Sequence, residues 1–316
     1  MTNWACAVFD DELVFHIVKG AFQSVNPLRY THVFFSKIID CCFKNYCFGV
    51  CRFRITFLLE GAEKVIIACM DKEKANAAVK DIIESSGNEN IVCMKLDLSD
   101  SKSIQEFAEA IHKDEPKLNI LISNAGVMVC PYRKTADGFE MQISVNHLGH
   151  FLLTYLLLDL IKKSAPAIII NVSSMAHSWG SINLEDLNSE KHYNKNKAYA
   201  QSKIANVLFT RSLAKRLEGT GVTTYSLHPE IVQTELWRHL NGVQQFFMKM
   251  ISPFTKNSVQ GAQTTIYCSV DSSLEKESGG YYSDCAPANC SAAAKDDNVA
   301  EKLWELSCSL LSLTWD

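Results

Sequence analysis

Two side chains four residues apart, Tyr199 and Lys203, have the types and the spacing that proton transfer requires. If residues 197–217 are helical, both side chains lie on one face, because residues four apart are neighbours on a helix surface. A free phenol has a pKa of about 10 and carries protons poorly at neutral pH. An ammonium group nearby favours the phenolate and lowers that pKa. The pair is therefore a candidate general acid–base for an alcohol or a carbonyl compound.

A third candidate, Ser174, precedes Tyr199 by 25 residues and follows the strand-like run Ala167–Val172. A hydroxyl on a neighbouring element is suited to hold the substrate oxygen that gains or loses the proton. Taken alone, the tyrosine–lysine spacing is a weak signal, because a half-buried tyrosine beside a solvated lysine is the commoner arrangement. The order of the surrounding elements decides between the two interpretations.

That order resembles the short-chain dehydrogenase/reductase family. The resemblance rests on Asn-Ala-Gly at 124–126, Val-Asn-His-Leu-Gly at 145–149, Val-Ser-Ser at 172–174 and Tyr-x-x-x-Lys at 199–203. Within the family the chain is most similar to the retinol dehydrogenases, through the stretches 66–74, 171–177 and 202–211. The resemblance runs from about residue 61 to about residue 311 and leaves out the first sixty residues.

From residue 61 onward the patterns alternate between strand and helix, which implies βαβ units and a parallel sheet flanked by helices. With the resemblance, this predicts an α/β fold, a Rossmann-like doubly wound parallel sheet, in a domain spanning 61–316. Residues 1–60 are an atypical N-terminal segment. The predicted strands are Lys64–Cys69, Ile91–Leu96, Leu118–Ser123, Ala167–Val172 and Thr223–Leu227. The predicted helices are Lys72–Ser85, Ser101–Asp114 with Ser101 as its cap, a long stretch in Ala136–Leu160, Lys197–Leu217, Ser258–Val270 and Asn298–Leu311.

The resemblance implies a role for each catalytic candidate. Ser174 would orient the substrate oxygen, and Tyr199 would act as the general acid–base. Lys203 would lower the tyrosine pKa and bind the nicotinamide ribose. Asn146 would hold a water that links the lysine to solvent; the alternative is a satisfied polar residue within its helix. His147, His150 and His177 have no evident partner, and we interpret them as structural.

The resemblance also implies a nicotinamide cofactor, NADP or alternatively NAD. Asp97 would contact the adenine, although a turn residue is the alternative for that position. The remaining cofactor-binding candidates are Asn124, Ala125 and Gly126, which would wall the cleft, together with Tyr199, Lys203, Pro229 and Thr234. Asp97, Asn124, Ser174 and Pro229 each follow a predicted strand, so we expect them to line one edge of the sheet.

Three positions depart from the family pattern. A dinucleotide fold needs a glycine-rich turn that lets backbone amides approach the pyrophosphate, but residues 1–60 contain only Gly20 and Gly49. Met70 stands where the family usually places an arginine for the 2′-phosphate of NADP, with Lys72 and Lys74 close in sequence. Glu230 stands where the family has glycine, and it adds bulk and negative charge.

Three hypotheses for the function remain open. The first is an oxidoreductase that interconverts a small lipophilic alcohol and its aldehyde or ketone, with retinol and retinal as the favoured pair. The second is a non-catalytic relative that has lost cofactor affinity. The third is an aberrant product in which an unrelated N-terminus is joined to an intact family sequence. In that case the sheet lacks its first strand unless 31–35, a weak strand candidate, replaces it.

Composition narrows the class of protein. The net charge of −4, with acids and bases interspersed, gives no electrostatic footprint for nucleic acid. The 12 cysteines are scattered through predicted strands and helices, so we expect reduced thiols in an intracellular protein. The cysteines at 41, 42, 47 and 51 lack zinc-ligand spacing, and no metal site is predicted.

The predicted location is the cytoplasm or the endoplasmic reticulum membrane. Charged residues at 10–12 and 19 interrupt the apolar N-terminal region, which argues against a signal peptide or a membrane span. Peripheral membrane contact and a homo-oligomer are compatible with the resemblance. The aromatic and methionine content of 237–254 suits either a lid over a long apolar substrate or an ordinary packed helix.

Overall fold

A sheet of mostly parallel strands forms the centre of the molecule. The computed structural model describes residues 32–36, 62–87, 89–230, 256 and 258–315. The strand order in the sheet is β3-β2-β1-β4-β5-β6-β7-β8. The strands are β1 (His32–Ser36), β2 (Lys64–Cys69), β3 (Ile91–Lys95), β4 (Ile120–Ser123), β5 (Ala167–Val172), β6 (Val222–His228), β7 (Tyr281–Ser283) and β8 (Ala286–Pro287). Only the pair β7–β8 is antiparallel among these strands. The doubly wound parallel sheet predicted from the sequence is confirmed.

Six helices of the described part flank this sheet, and each follows or precedes a strand as the alternating pattern predicts. They are α1 (Lys72–Ser86), α2 (Ser101–Asp114), α3 (Gly149–Lys163), α4 (Lys195–Arg216), α5 (Ser258–Val270) and α6 (Asp297–Leu310). A short helix, Met141–Ile143, and a π-helical turn, Ser144–Leu148, run directly into α3. The long stretch predicted at Ala136–Leu160 therefore begins five residues later and contains an irregular turn.

The sheet is covered by helices on both faces, as is usual for parallel sheets. Successive side chains of a strand point to opposite sides and therefore pack in different cores. Along β4, Leu121 packs in one apolar cluster, whereas Ile120 and Ile122 pack in another. The first cluster contains Phe107 of α2, and the second contains Ile82 of α1. Two separate cores thus hold the sheet between its helices and fix where the strand ends lie.

β1 occupies an interior position of the sheet, where it pairs in parallel with both β2 and β4. Val33 lies opposite Val65 on one side and opposite Ile120 on the other. The weak strand candidate at 31–35 is therefore confirmed, displaced by one residue. Since β1 lies where the strand order reverses, it borders the crevice in which open α/β sheets bind ligands.

The N-cap residue of α2 differs from the predicted one. Asp100, not Ser101, is the N-cap of α2, and its side chain accepts a hydrogen bond from the Lys102 amide. The Ser101 hydroxyl donates instead to the Asp137 carboxylate at 2.7 Å. Aspartate is as good a cap as serine, and here only Asp100 has the extended backbone that a cap requires.

Gly149, the first residue of α3, is where that helix comes closest to the chain after β3. A Cβ on Gly149 would lie 2.5 Å from the Leu98 carbonyl oxygen, a backbone atom that cannot easily move. We expect Gly149→Ala to lower the free energy of unfolding by about 1–3 kcal/mol or more through overpacking. Urea unfolding measures the change, with Asp159→Ala on the exposed face of the same helix as the matched control. A Gly149→Ala variant as stable as that control would contradict the close approach.

Candidate active site

The candidate residues gather at one edge of the sheet because they follow the carboxyl ends of parallel strands. Asn124 comes directly after β4, Ser174 lies two residues after β5, and Pro229 follows β6. Asp97 lies two residues beyond β3 at the same edge. The common edge predicted from the sequence is thus present in the described part of the chain.

Helix α4 is docked on the end of β5 by polar contacts that fix its rotation. The Ser173 hydroxyl donates to the Lys203 carbonyl at 2.7 Å, and the Asn206 amide donates to the Val172 carbonyl at 3.1 Å. Further along the helix, the Asn171 amide donates to the Thr210 hydroxyl. Because these bonds are buried, they hold the Tyr199–Lys203 turn of α4 against the segment that carries Ser174.

Tyr199 and Ser174 face each other across this junction. The Ser174 side chain lies close to the Tyr199 phenol, and its hydroxyl accepts from the Ala176 amide at 3.2 Å. Burial raises the pKa of the Tyr199 phenol to about 12, while the Ser174 contact acts in the opposite direction. The expectation of a lowered tyrosine pKa is therefore wrong for this structure: desolvation is the larger effect, and it keeps the phenol protonated at neutral pH.

Lys203 is 4% exposed and lies beneath the Tyr199 ring, with its ammonium nitrogen 5.8 Å from the ring centroid. That nitrogen donates to the Val172 carbonyl at 3.1 Å. Burial lowers the pKa of Lys203 to about 8, because the cation is held away from water. Lys203 is thus still charged at neutral pH, but its charge is lost within the range of ordinary assays.

The Asn146 side chain is fully occupied by protein contacts. Its oxygen accepts from the Val127 amide at 2.8 Å, and its nitrogen donates to the Val127 carbonyl and to the Ser202 hydroxyl. Asn146 lies in the π-helical turn and has no exposed surface. These contacts match the alternative role, a satisfied polar residue that ties the 124–127 segment to α4. The role in holding a water stays a prediction.

Gly126 lies where the side chains of Asn146 and Lys203 approach the backbone after β4 closely. A Cβ at this position would lie 3.0 Å from the Asn146 amide oxygen and 3.5 Å from the Lys203 ammonium nitrogen. A side chain at residue 126 would therefore crowd both of these groups. The absence of a side chain here, beside a buried cation and a phenol, fits the nicotinamide and ribose end of the predicted cofactor.

Asp97 has the turn geometry that the sequence left as its alternative. One oxygen of its carboxylate accepts from both the amide and the hydroxyl of Ser99, at 2.9 and 2.6 Å. The half-buried Asp97 still lies at the sheet edge, so the adenine contact stays a prediction.

Several other predictions fall outside the described residues. They are the cofactor contact of Thr234, the lid at 237–254, the phosphate-facing window 41–51 with its four cysteines, and the side chains of Lys72 and Lys74.

Glu230 adopts the backbone angle that glycine favours, with φ of 65°. For a residue with a side chain, this left-handed conformation costs about 1–2 kcal/mol. The Glu230 carboxylate accepts from the Ser283 hydroxyl and lies 3.7 Å from Nε2 of His228. The site thus contains an acidic group where the resemblance implies an unsubstituted backbone.

Sequence reasoning missed His228, and it gave His177 a structural role without its contact to the serine segment. His177 contacts the Ser174 carbonyl through Nδ1 at 2.7 Å, and His228 accepts the Met175 amide at 3.2 Å. A signal for His228 existed, since it ends β6 and the strand pairing places Leu227 opposite Val172. By contrast, His147 and His150 are fully buried, bonded to Ser307 and to the Ala125 carbonyl respectively. Burial lowers their pKa values to about 3 and about 4, in keeping with a structural role.

Comparison with known proteins identifies the family. The model of the short-chain dehydrogenases matches residues 54–245. The chain belongs to the short-chain dehydrogenase family. As a short-chain dehydrogenase, it is 52% identical over 253 residues to retinol dehydrogenase 12 from Homo sapiens, covering 80% of each chain. It is 51% identical over 259 residues to human retinol dehydrogenase 11, covering 82% of this chain and 81% of the relative.

Solved structures agree with this short-chain dehydrogenase fold. An uncharacterized protein from Mycobacterium paratuberculosis superposes with a TM-score of 0.72 at 30% identity, covering 93% of this chain and 98% of that one. A short-chain dehydrogenase from Escherichia coli, solved in complex with NADPH, gives a TM-score of 0.60 at 19% identity, covering 82% of this chain and 99% of that one. Members of the family are nicotinamide-dependent oxidoreductases, and among them this short-chain dehydrogenase is most like the retinol dehydrogenases.

Two properties of the described residues bear on the environment of this dehydrogenase. The cysteines described, at positions 69, 93, 130, 268, 285, 290 and 308, are free thiols. Among the helices that the structure describes, none is both long and apolar enough to cross a membrane.

Proposed function

We propose that this chain is a retinal reductase, which reduces a lipophilic aldehyde of the retinal class to its alcohol and prefers NADP(H) as cofactor. The observation that supports the reductive direction is the protonated Tyr199 phenol, whose pKa burial raises to about 12. A phenol that keeps its proton at neutral pH is ready to donate it to a carbonyl oxygen. The substrate class comes from the relatives named retinol dehydrogenase.

The chain's own residues divide the work at the substrate oxygen. Ser174 donates a hydrogen bond that orients the carbonyl, and Tyr199 transfers its proton to the same oxygen. Lys203, charged and buried 5.8 Å from the tyrosine ring, stabilises the phenolate that this transfer leaves behind. The bound nicotinamide supplies the hydride in the reductive direction. Lys203 and the backbone at Gly126 would hold the ribose and the ring of the nicotinamide.

Preference for NADP(H) over NAD(H) is supported by the sequence after β2. Lys72 and Lys74 follow that strand closely enough to pair with a 2′-phosphate, although Met70 replaces the usual arginine. Residues 37–60, which follow β1 in the sequence, contain only one glycine, Gly49, whereas a glycine-rich turn normally lets backbone amides approach the pyrophosphate. We therefore propose that affinity depends more heavily on the nicotinamide end and on these lysines than in relatives with the glycine turn.

Direct binding of NADPH, NADP⁺ and NADH to the purified chain, followed by fluorescence titration, tests the proposal. We expect micromolar binding of NADPH and weaker binding of NADH, with retinal reduction in a coupled assay. Lys72→Met should weaken the binding of NADPH more than that of NADH. Lys191→Met, at an exposed lysine far from β2 in the sequence, is the matched control. No binding at millimolar NADPH by a folded chain would overturn the proposal and leave the non-catalytic alternative.

The pH dependence of reduction follows from Lys203. Below its pKa of about 8 the lysine is charged and stabilises the phenolate, and above it the charge is lost. We expect kcat for retinal reduction to fall as the pH rises through about 8, while Tyr199 remains protonated. A rate that instead increases steadily from neutral pH toward about 10 would show that proton abstraction, not donation, limits turnover.

A further inference from the structure

The peptide unit that joins Ser174 to Met175 is held by two histidines, His177 close by in the sequence and His228 far from it. Its carbonyl oxygen accepts from Nδ1 of His177 at 2.7 Å. Its amide donates to Nδ1 of His228 at 3.2 Å. His177 lies on the 3₁₀ turn Met175–Trp179, and His228 ends β6. The two rings thus hydrogen-bond the carbonyl and the amide of the same peptide unit.

These contacts assign the hydrogen on each ring. A carbonyl only accepts, so Nδ1 of His177 carries the proton, and its Nε2 is free to accept from the Ser291 amide at 3.2 Å. Nδ1 of His228 must keep its lone pair for the Met175 amide, so the proton of the neutral ring is on Nε2. A second proton on His228 would turn its acceptor into a donor and break the bond to the peptide.

Glu230 is the group that Nε2 of His228 faces. The carboxylate is 3.7 Å from that nitrogen, too far for a hydrogen bond but close enough for a strong charge effect. In the part of the chain that the structure describes, Nε2 of His228 is buried and has no hydrogen-bond partner. The Ser283 hydroxyl on β7 donates to the Glu230 carboxylate and holds it in this place.

The charges around His228 act in opposite directions. Burial lowers the pKa of His228, and Glu230 raises it; His177, Lys256 and Lys203 lower it further. The neutral ring is therefore the form that this site favours at neutral pH, and Glu230 is the acidic group that counteracts burial. Glu230 departs from the glycine of the family pattern, so this balance is a property of the present chain.

We propose that His177 and His228 are positioning residues that hold the Ser174–Met175 peptide, and that a proton on His228 releases the peptide. Glu230 determines how readily that proton is taken up. Release of the peptide would move the Ser174 hydroxyl relative to Tyr199. The consequence for turnover rests on the proposed reductase function, whereas the contact itself does not.

The contact is tested without cofactor or substrate by following the Met175 amide. The chain has 8 methionines, so a sample labelled with ¹⁵N-methionine gives few signals, and Met175→Leu identifies the one of interest. We expect the Met175 amide signal to move as the pH is lowered from about 7.5 to about 5, with the protonation of His228. In Glu230→Gln the same movement should begin at a lower pH, because the charge that favours the proton is gone.

Two substitutions of His228 separate the contact from simple packing. His228→Asn places an oxygen near the position of Nδ1 and cannot titrate, so the amide signal should stay in its hydrogen-bonded position at every pH. His228→Leu removes the acceptor, and the signal should shift at all pH values. If the leucine variant does not fold, as judged by circular dichroism, the asparagine and Glu230→Gln arms still decide the outcome.

The kinetic arm asks whether the contact matters for catalysis. We expect His228→Leu to lower kcat on the order of 10- to 100-fold with little change in KM for NADPH, as a small misplacement does. In the native chain, release of the peptide should also lower kcat at acidic pH. His228→Asn should keep most of the rate and lose this fall at acidic pH, while the fall above about pH 8 that comes from Lys203 remains. A Met175 signal insensitive to pH in the native chain, or equally sensitive in His228→Asn, would overturn the proposal. A moving signal in a chain that binds no NADPH would overturn only the reductase function.

Discussion

Tyr199→Phe should lower kcat for retinal reduction on the order of 10²- to 10⁴-fold, because it removes the group that protonates the carbonyl oxygen. The phenol lies near the Ser174 side chain, which is proposed to orient the same oxygen. Ser174 keeps its bond from the Ala176 amide in the variant, so the serine segment should stay in place. The loss should therefore appear in kcat, with the dissociation constant of NADPH nearly unchanged.

Steady-state kinetics and NADPH titration of the Tyr199→Phe variant give this result directly. Tyr155→Phe is the matched control, since it removes a phenol hydroxyl that donates to the Thr314 carbonyl at 3.2 Å far from the site. That control should retain full activity. Comparable rates for Tyr199→Phe and the native chain would show that another group moves the proton.

Lys203→Met should make the protein more stable and nearly inactive. A shift of the lysine pKa from 10.5 to about 8 corresponds to roughly 3 kcal/mol of unfavourable burial at neutral pH. Methionine removes that charge, and the Val172 carbonyl keeps its bond from Asn206. Allowing for the lost lysine bond, we expect the free energy of unfolding to rise by about 1–2 kcal/mol and Tm by several degrees.

The sign of the pH effect identifies the cause. Below about pH 8 both the folded and the unfolded chain carry the Lys203 proton, so the full penalty is present. Between about 8 and about 10.5 the folded chain loses this proton while the unfolded chain keeps it, and native stability rises with pH. The advantage of Lys203→Met should therefore shrink at high pH. Thermal unfolding at about pH 7 and about pH 10 measures it.

The exposed Lys197, on the same helix, supplies the control for this substitution. Lys197→Met should change neither Tm nor kcat appreciably. For Lys203→Met, kcat should fall on the order of 10²-fold or more, because the phenolate loses its charged neighbour. A destabilised Lys203→Met protein would mean that the bond to Val172 outweighs the cost of burying the cation.

The elements predicted most accurately are those with a strong sequence pattern. Ala167–Val172 has five apolar residues, interrupted only by Asn171, and is a strand with those bounds. Ser101–Asp114, whose apolar residues recur at helical spacing, has the predicted bounds too. The start of the long helix was misplaced because the Glu140 carboxylate, which caps Met141–Ile143, carries no periodic signal.

In the site, the sequence predicted the residue types but not their energetics. Tyr199, Lys203 and Ser174 were found from spacing and order, which local motifs preserve. The direction in which the tyrosine pKa shifts was not predicted, because it depends on how much water α4 excludes when it packs on β5. The grip of His177 and His228 on one peptide was also missed, since the two histidines are 51 residues apart and meet only through strand pairing.

The position of β1 between β2 and β4 has a consequence for assembly. Strands in a sheet lie about 4.8 Å apart, so without β1 the edges of β2 and β4 would face each other across a gap of roughly 10 Å. Each edge would present a row of unpaired backbone amides and carbonyls, flanked by the apolar side chains of Val65–Ile67 and Ile120–Ile122. Such unpaired edges are templates for strands of other chains. A chain in which 32–36 leaves this position would therefore expose both edges to the strands of other chains.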